Sequence, residues 1–288
     1  MTAAPRFVAA CVQMRTGRDP SRNRDDAVAM AREAADRGAH FVQTPEMTGL
    51  LERDRASFRD KITTQEDDPV LAALRDVARE RGVWIHIGSL AVKAGDKAAN
   101  RAFLIDASGD LVATYDKIHL FDVDLPNGER WRESNAYAGG DRAVLAQTPW
   151  GLLGVTICYD LRFPQLYRAL AEAGAGVLTI PSCFTRQTGE AHWHVLQRAR
   201  AVENGAFVIA AAQGGKHEDG RETYGHSLIV DPWGRVLAEG GTEPGVILAE
   251  VDLTLVADAR QRIPSLQHGR PFHVDVVAPA PQTRAASA

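Results

Sequence analysis

Apolar residues run almost unbroken over residues 7–13, the pattern of a strand buried on both faces. The period then lengthens to that of a helix. Ala27, Met30, Ala31 and Ala34 share one face, Ser21 is placed to cap the start, and Gly38 marks the stop. Residues 40–44 form the next predicted strand. Pro45 ends it, so Glu46 falls just past a strand's carboxyl end, where α/β folds gather their chemistry. A second helix is signalled by Asp68 as cap, Pro69 at the first helical position, an apolar stripe of Leu71, Leu74 and Ala78, and Gly82 beyond its end. Residues 83–89 follow as a strand, and residues 102–106 and 111–115 flank Ser108-Gly109-Asp110 as a hairpin. Lys117 lies directly behind that hairpin.

Residues 119–141 carry Pro126, Asn127, Gly128, Gly139 and Gly140 without a sustained period, and a loop of that length in a compact domain is usually functional. Residues 144–146 and 152–157 make a strand pair around Pro149-Trp150-Gly151; Cys158 ends the second strand, and Pro164 opens a helix behind it. The alternation continues as strand 177–180, helix 191–203, strand 206–211, a hairpin over 227–237, strand 246–251 and a helix near 253–262. Strands in mixed pairs with about four helices fit an α/β fold of two packed sheets, each covered by helices on its outer face.

With 288 residues, 45% of them hydrophobic, the chain can bury a substantial core. A single domain over 1–276 is expected, followed by an Ala- and Pro-rich arm over 277–288, extended or disordered. The net charge of −4, with basic residues scattered among acidic ones, argues against nucleic acid as a partner. No basic and apolar leader opens the chain and no apolar run approaches bilayer length, so a cytoplasmic protein without a membrane partner is expected. The three cysteines, Cys11, Cys158 and Cys183, are too few for a disulfide framework.

Each thiol is judged by its neighbours. Cys11 sits inside an apolar strand and reads as a core residue, whereas Cys183 follows Pro181-Ser182 at a strand end and can line a pocket. Cys158 leaves an apolar strand for the polar turn Tyr159-Asp160-Leu161-Arg162, a passage that can present a nucleophile at a sheet rim with backbone N–H groups near an oxyanion. Position alone leaves a buried structural cysteine equally open. A thiol nucleophile needs a base, and the tetrahedral intermediate needs positive charge; Glu46 and Lys117, both just past strand ends, are the candidates. A Cys–His hydrolase with His119 or His226 as base, and a binding subunit without turnover, are the alternatives.

Three segments carry a resemblance. Thr44-Pro45-Glu46-Met47-Thr48-Gly49, the run from Tyr115 through Lys117 to Asp124, and Ile157-Cys158-Tyr159-Asp160-Leu161-Arg162-Phe163-Pro164 resemble, in order, the signatures of the nitrilase (carbon–nitrogen hydrolase) superfamily. The similarity extends from about residue 7 to residue 270. It implies a four-layer α-β-β-α sandwich, a homodimer or higher homo-oligomer, no cofactor and no metal. It also implies a triad of Glu46 as base, Lys117 at the oxyanion and Cys158 as nucleophile, with the Tyr159 backbone N–H as second oxyanion donor. Glu133 matches a second family glutamate that positions substrate, although a solvated loop carboxylate is its plain alternative. Thr44 departs from the bulky apolar residue common at its position.

Glu133-Ser134-Asn135, Gly189-Glu190-Ala191-His192-Trp193 and Tyr224-Gly225-His226-Ser227 resemble the deaminated-glutathione amidase branch, whose close relatives are ω-amidases acting on 2-oxoglutaramate. A keto-acid amide or deaminated peptide is the substrate class so implied, with a nitrilase or N-carbamoyl amino acid hydrolase as further alternatives. Arg162 is the candidate anchor for a substrate carboxylate, against a salt bridge with Asp160. Phe184, Thr185 and Trp193 resemble pocket-lining positions, although a Trp on a helix is by default a core residue. His192 and His194 are two apart on a helix and face different directions, which argues against a metal site.

Overall fold

The apolar run at the amino end becomes the strand Arg6–Gln13, and its side chains alternate between two cores: Phe7, Ala9 and Cys11 enter one, Ala10 and Val12 the other. The computed structural model describes residues 6–126 and 128–277. Arg6–Gln13 lies in a seven-stranded sheet, pairing antiparallel with Gly245–Asp252 and parallel with Phe41–Gln43, which in turn runs parallel to Trp84–Ala94. Lys97–Ile105 and Leu111–Asp116 extend that sheet as an antiparallel meander.

A six-stranded sheet repeats the plan. Gly151–Val155, Val177–Thr179 and Phe207–Ala210 form its parallel centre, with Val144–Thr148 on one side and the hairpin Leu228–Val230 with Val236–Glu239 on the other. The inner faces of the two sheets share one core, where Phe7 stacks on Trp150 at 4.3 Å and Gln43 accepts the Ala211 N–H at 2.7 Å. Helices Pro20–Asp36 and Pro69–Arg81 bury Ala27, Ala31, Ala34, Leu74 and Ala78 on the outer face of the first sheet. Helices Pro164–Glu172 and Arg186–Asn204 pack on the second through Leu166, Leu170, Trp193 and Ala201. The order is α-β-β-α, as the sequence implies, and the carboxyl ends of the parallel strands in both sheets lead to Glu46, Cys158 and Cys183.

Several local expectations shift. Asp19, not Ser21, caps the first helix, its carboxylate accepting the Ser21 and Arg22 N–H groups, because Pro20 takes the first helical position and moves the cap back. The predicted helix 191–203 begins earlier, as Arg186–Asn204. Residues 119–141 are not one loop: they hold the hairpin Asp122–Asp124 with Arg130–Arg132, the 3-10 turn Glu133–Asn135 and the strand Tyr137–Ala138. Helix Arg55–Lys61 and the hairpin Gly214–Lys216 with Glu222–Tyr224 have no counterpart in the sequence pattern. Past helix Thr254–Arg262 no strand or helix follows through Val277, and the arm expected over 277–288 lies, apart from Val277, outside the described residues.

Asp68 caps the helix Pro69–Arg81 as predicted, accepting from Val70 and Leu71 at 2.9 and 3.0 Å, and Gly82 closes it in the left-handed conformation, φ 65°. Asp68→Ala should therefore cost about 1 kcal/mol in urea unfolding; an unchanged midpoint would show that the cap is redundant. Gly88 sits where the register with Lys97–Ile105 breaks, and a Cβ there would collide with the Thr44 carbonyl and with Pro181, beside the segment that carries Glu46. Gly88→Ala should lose about 1–3 kcal/mol of stability and lower activity with it; a fully active variant of native stability would show that the segment yields.

Candidate active site

Two backbone conformations mark the site. Cys158 and Met47, the residue after Glu46, take positive φ values of 47° and 59°. Non-glycine residues pay strain for the left-handed region, and here it turns the chain out of a strand and projects Cys158 from the sheet rim. Cys158 opens a 3-10 turn, Cys158–Arg162, clamped by Asp160. The fully buried Asp160 carboxylate accepts from the Tyr115 hydroxyl at 2.7 Å, the Ile157 N–H at 2.9 Å and the His119 N–H at 3.1 Å, and it meets His119 Nδ1 at 2.7 Å.

Glu46 is held just as tightly. Its Oε2 accepts the Cys183 N–H at 2.8 Å, and its Oε1 accepts from Asn100 at 2.9 Å and from Lys117 Nζ at 2.8 Å. Gln213 donates to the Glu46 carbonyl at 3.0 Å. The hydroxyl of Thr44, in place of the family's bulky residue, lies 2.7 Å from the Thr48 hydroxyl and accepts the Gly88 N–H, which braces the turn below Glu46. Lys117 Nζ also donates to both oxygens of Glu133, at 3.1 and 2.9 Å, while Glu133 accepts the Phe121 N–H at 2.7 Å and shares Asn100 with Glu46. One buried ammonium thus stands between two carboxylates.

The charges follow from this packing. Burial works to raise the Glu46 carboxyl, but Lys117, with hydrogen bonds from Lys117, Cys158 and Asn100, holds it below the usual carboxylate range. Burial works to lower Lys117, yet Glu133 and Glu46 lift it well above an ordinary lysine. Burial and the Glu46 charge push the Cys158 thiol well above the ordinary thiol range, with Lys117 opposing. The resting centre is therefore thiol, carboxylate and ammonium. Burial pushes Cys183 up to about 12, and it lines the cavity while its backbone N–H holds Glu46.

Glu46, Lys117, Glu133, Cys158, Tyr159, Phe184 and Thr185 all line one cavity of about 540 Å³, within the range of small-molecule sites. Arg162 does not line it. Its Nη2 lies 3.3 Å from His192 Nδ1 and its guanidinium lies over the Phe184 ring at 5.4 Å, behind the wall. Nor does it pair with Asp160, which is fully engaged elsewhere. In a turn of three residues per repeat the fourth residue after Cys158 lies about 120° around from it, whereas an α-helix would return it to the same face. Trp193 is also off the cavity: it is fully buried, donates Nε1 to the His226 carbonyl at 2.8 Å and backs Phe184.

Other residues entered the site without a signal in the sequence pattern. Asn100 and Gln213 sit inside or after strands and carry no spacing motif, although both are fully buried polar groups. Trp131 comes from strand Arg130–Arg132, and Arg53 and Arg221 from the segments that lead into helix Arg55–Lys61 and strand Glu222–Tyr224, all rim elements missing from the predicted set. Neither His119 nor His226 lines the cavity. His194 and His226 instead share Oε1 of Glu239, each at 2.9 Å, and the three ligand atoms lie within 4.8 Å of one another. His192 and His194 indeed diverge, but a histidine from the neighbouring loop supplies the partner that helical spacing does not.

The profile of the carbon–nitrogen hydrolase family matches residues 8–261. A Yersinia enterocolitica protein named deaminated glutathione amidase is 41% identical over 237 residues, covering 81% of this chain and 82% of its own. The Caenorhabditis elegans NitFhit protein superposes with a TM-score of 0.87 at 36% identity, over 93% of this chain and 66% of that one. A glutamate-to-glutamine mutant of the amidase from Nesterenkonia sp. AN1, carrying the acetamide moiety of fluoroacetamide on its active site cysteine, superposes with a TM-score of 0.77 at 26% identity, over 94% of this chain and 95% of that one. The chain belongs to the carbon–nitrogen hydrolase family and is a hydrolase acting on amides.

Proposed function

We propose that the chain is a deaminated glutathione amidase in which Cys158 is acylated by the substrate and Glu46 and Lys117 drive the chemistry. The observation that carries this is the buried contact of Glu46, Lys117 and Cys158 at the wall of one cavity. Because the thiol lies high and the carboxylate low, a free thiolate is scarce at rest. Glu46 takes the Cys158 proton as sulfur attacks the amide carbon, and the new oxyanion is held by the Lys117 ammonium and the Tyr159 backbone N–H. Glu46 returns the proton to the leaving amine, then removes one from the water that hydrolyses the thioester. Glu133 keeps Lys117 charged and aimed. The names of relatives support deaminated glutathione, whose scissile amide joins a keto-acid acyl group to cysteinylglycine.

Cys158→Ala should lower kcat/KM on deaminated glutathione by roughly 10⁴-fold or more, and loss of the Lys117 ammonium by roughly 10²–10³-fold. Equal activity of native and Cys158→Ala protein would remove the assigned nucleophile. Preference for 2-oxoglutaramate, a nitrile or a carbamoyl compound would keep the triad and move the branch.

The pH profile separates Glu46 from a histidine base. With Glu46 held low and Lys117 and Cys158 held high, kcat/KM should stay flat across roughly pH 6 to 9; an acid limb near pH 6.5 would assign the base to a histidine such as His119 or His226.

The expected homodimer is supported by the exposed apolar Val195 and Val202 on helix Arg186–Asn204 and by the exposed Trp233 on the hairpin turn, whose next residue, Gly234, adjoins Val202. Light scattering should return twice the 31.2 kDa chain mass, and a monomer mass would overturn it. The three unpaired thiols fit the reducing cytoplasm; no helix among the described residues is long and apolar enough to cross a membrane.

A further inference from the structure

Five arginines line the cavity: Arg53, Arg55, Arg130, Arg132 and Arg221. Most are committed. Arg130 and Arg132 both reach Asp124, at 3.6 and 2.9 Å, and Arg221 is paired with Asp219 at 2.7 Å. Arg55 donates to the Asn135 carbonyl at 3.3 Å. Arg53 and Arg221 both lie over the Trp131 ring, 4.8 and 5.2 Å from its centroid, but among the described residues only the Arg53 guanidinium has no carboxylate or carbonyl partner. The acids beside it in sequence are spent, since Glu52 accepts from Arg18, Lys61 and Ser57 and Asp54 caps helix Arg55–Lys61.

A guanidinium held against an aromatic face keeps its N–H edge free, and that edge matches a carboxylate in a two-point contact. The two supports are tied to the reaction centre through the chain. Arg53 is on the segment that begins at Glu46, and Trp131 is two residues before Glu133. We propose that Arg53 binds a carboxylate on the leaving-group side of the substrate and so selects amides whose leaving amine is a carboxylate-bearing, peptide-like fragment over simple carboxamides. This rests on the amidase reading above and deepens it, because cysteinylglycine leaves with such a carboxylate whereas ammonia does not. Arg162, off the cavity wall, is not available for the same contact.

The test compares deaminated glutathione with its analogue in which the glycine carboxylate is converted to a carboxamide. Native protein should prefer the acid by roughly 10- to 100-fold in kcat/KM, mostly through KM, as expected for a charged hydrogen bond. Arg53→Gln should bring the ratio close to one, and Arg53→Lys, which keeps charge without the fork, should restore part of it. A ratio compares two substrates on the same protein, so general damage cancels. A native preference that survives Arg53→Gln overturns the role of Arg53 while leaving the amidase assignment standing. Native protein that hydrolyses neither compound overturns both.

Discussion

Lys117 is an ammonium almost without water, 2% exposed, and the site is arranged around keeping it so. An uncompensated buried charge costs several kcal/mol, so a lysine here demands carboxylates at contact distance. Glu46 and Glu133 both meet that demand, and Asn100 donates to both, which fixes their spacing. Burial first, and then the negative charge of Glu46, holds the Cys158 proton on sulfur, with Lys117 opposing. In the mechanism proposed above the reaction turns on this balance: the oxyanion forming on the substrate draws on the Lys117 charge, and the thiol loses its proton to Glu46 as that happens.

The sandwich explains how groups so far apart in sequence meet. Glu46 follows a parallel strand of one sheet, Cys158 follows a parallel strand of the other, and Lys117 follows the meander. Only face-to-face packing of two sheets brings these ends together, and Gln43 of one sheet bonding to Ala211 of the other ties the two near that end. The strained turns at Met47 and Cys158 then aim the groups inward. Asp160 and Gln213 hold those turns, so the chemistry depends on buried polar residues that never touch the reacting atoms.

Much of this was legible in the chain. The strands buried on both faces announce themselves by unbroken apolar runs, and Asp68-Pro69 with Gly82 marks a helix by capping chemistry alone. Glu46, Lys117 and Cys158 could be placed at strand ends, but nothing in their spacing required them to meet; the ordered resemblance did that. The cavity rim was invisible because strands of three residues, such as Asp122–Asp124 and Glu222–Tyr224, are too short to show a period. Arg162 departs from its expected place because a 3-10 turn replaces the helical turn its spacing suggests, and Arg53 carries no signal in the sequence because an exposed arginine near a helix start looks like any surface charge.

The account stands on Cys158 carrying the acyl group. Acid-quenching native protein during turnover of deaminated glutathione and mapping its peptides by mass spectrometry reads that directly. The keto-acid acyl group should be found on the peptide containing Cys158, with Cys11 and Cys183 unmodified. Turnover with the acyl group on Cys183 instead, or with no acylated cysteine while Cys158→Ala protein remains active, would contradict it.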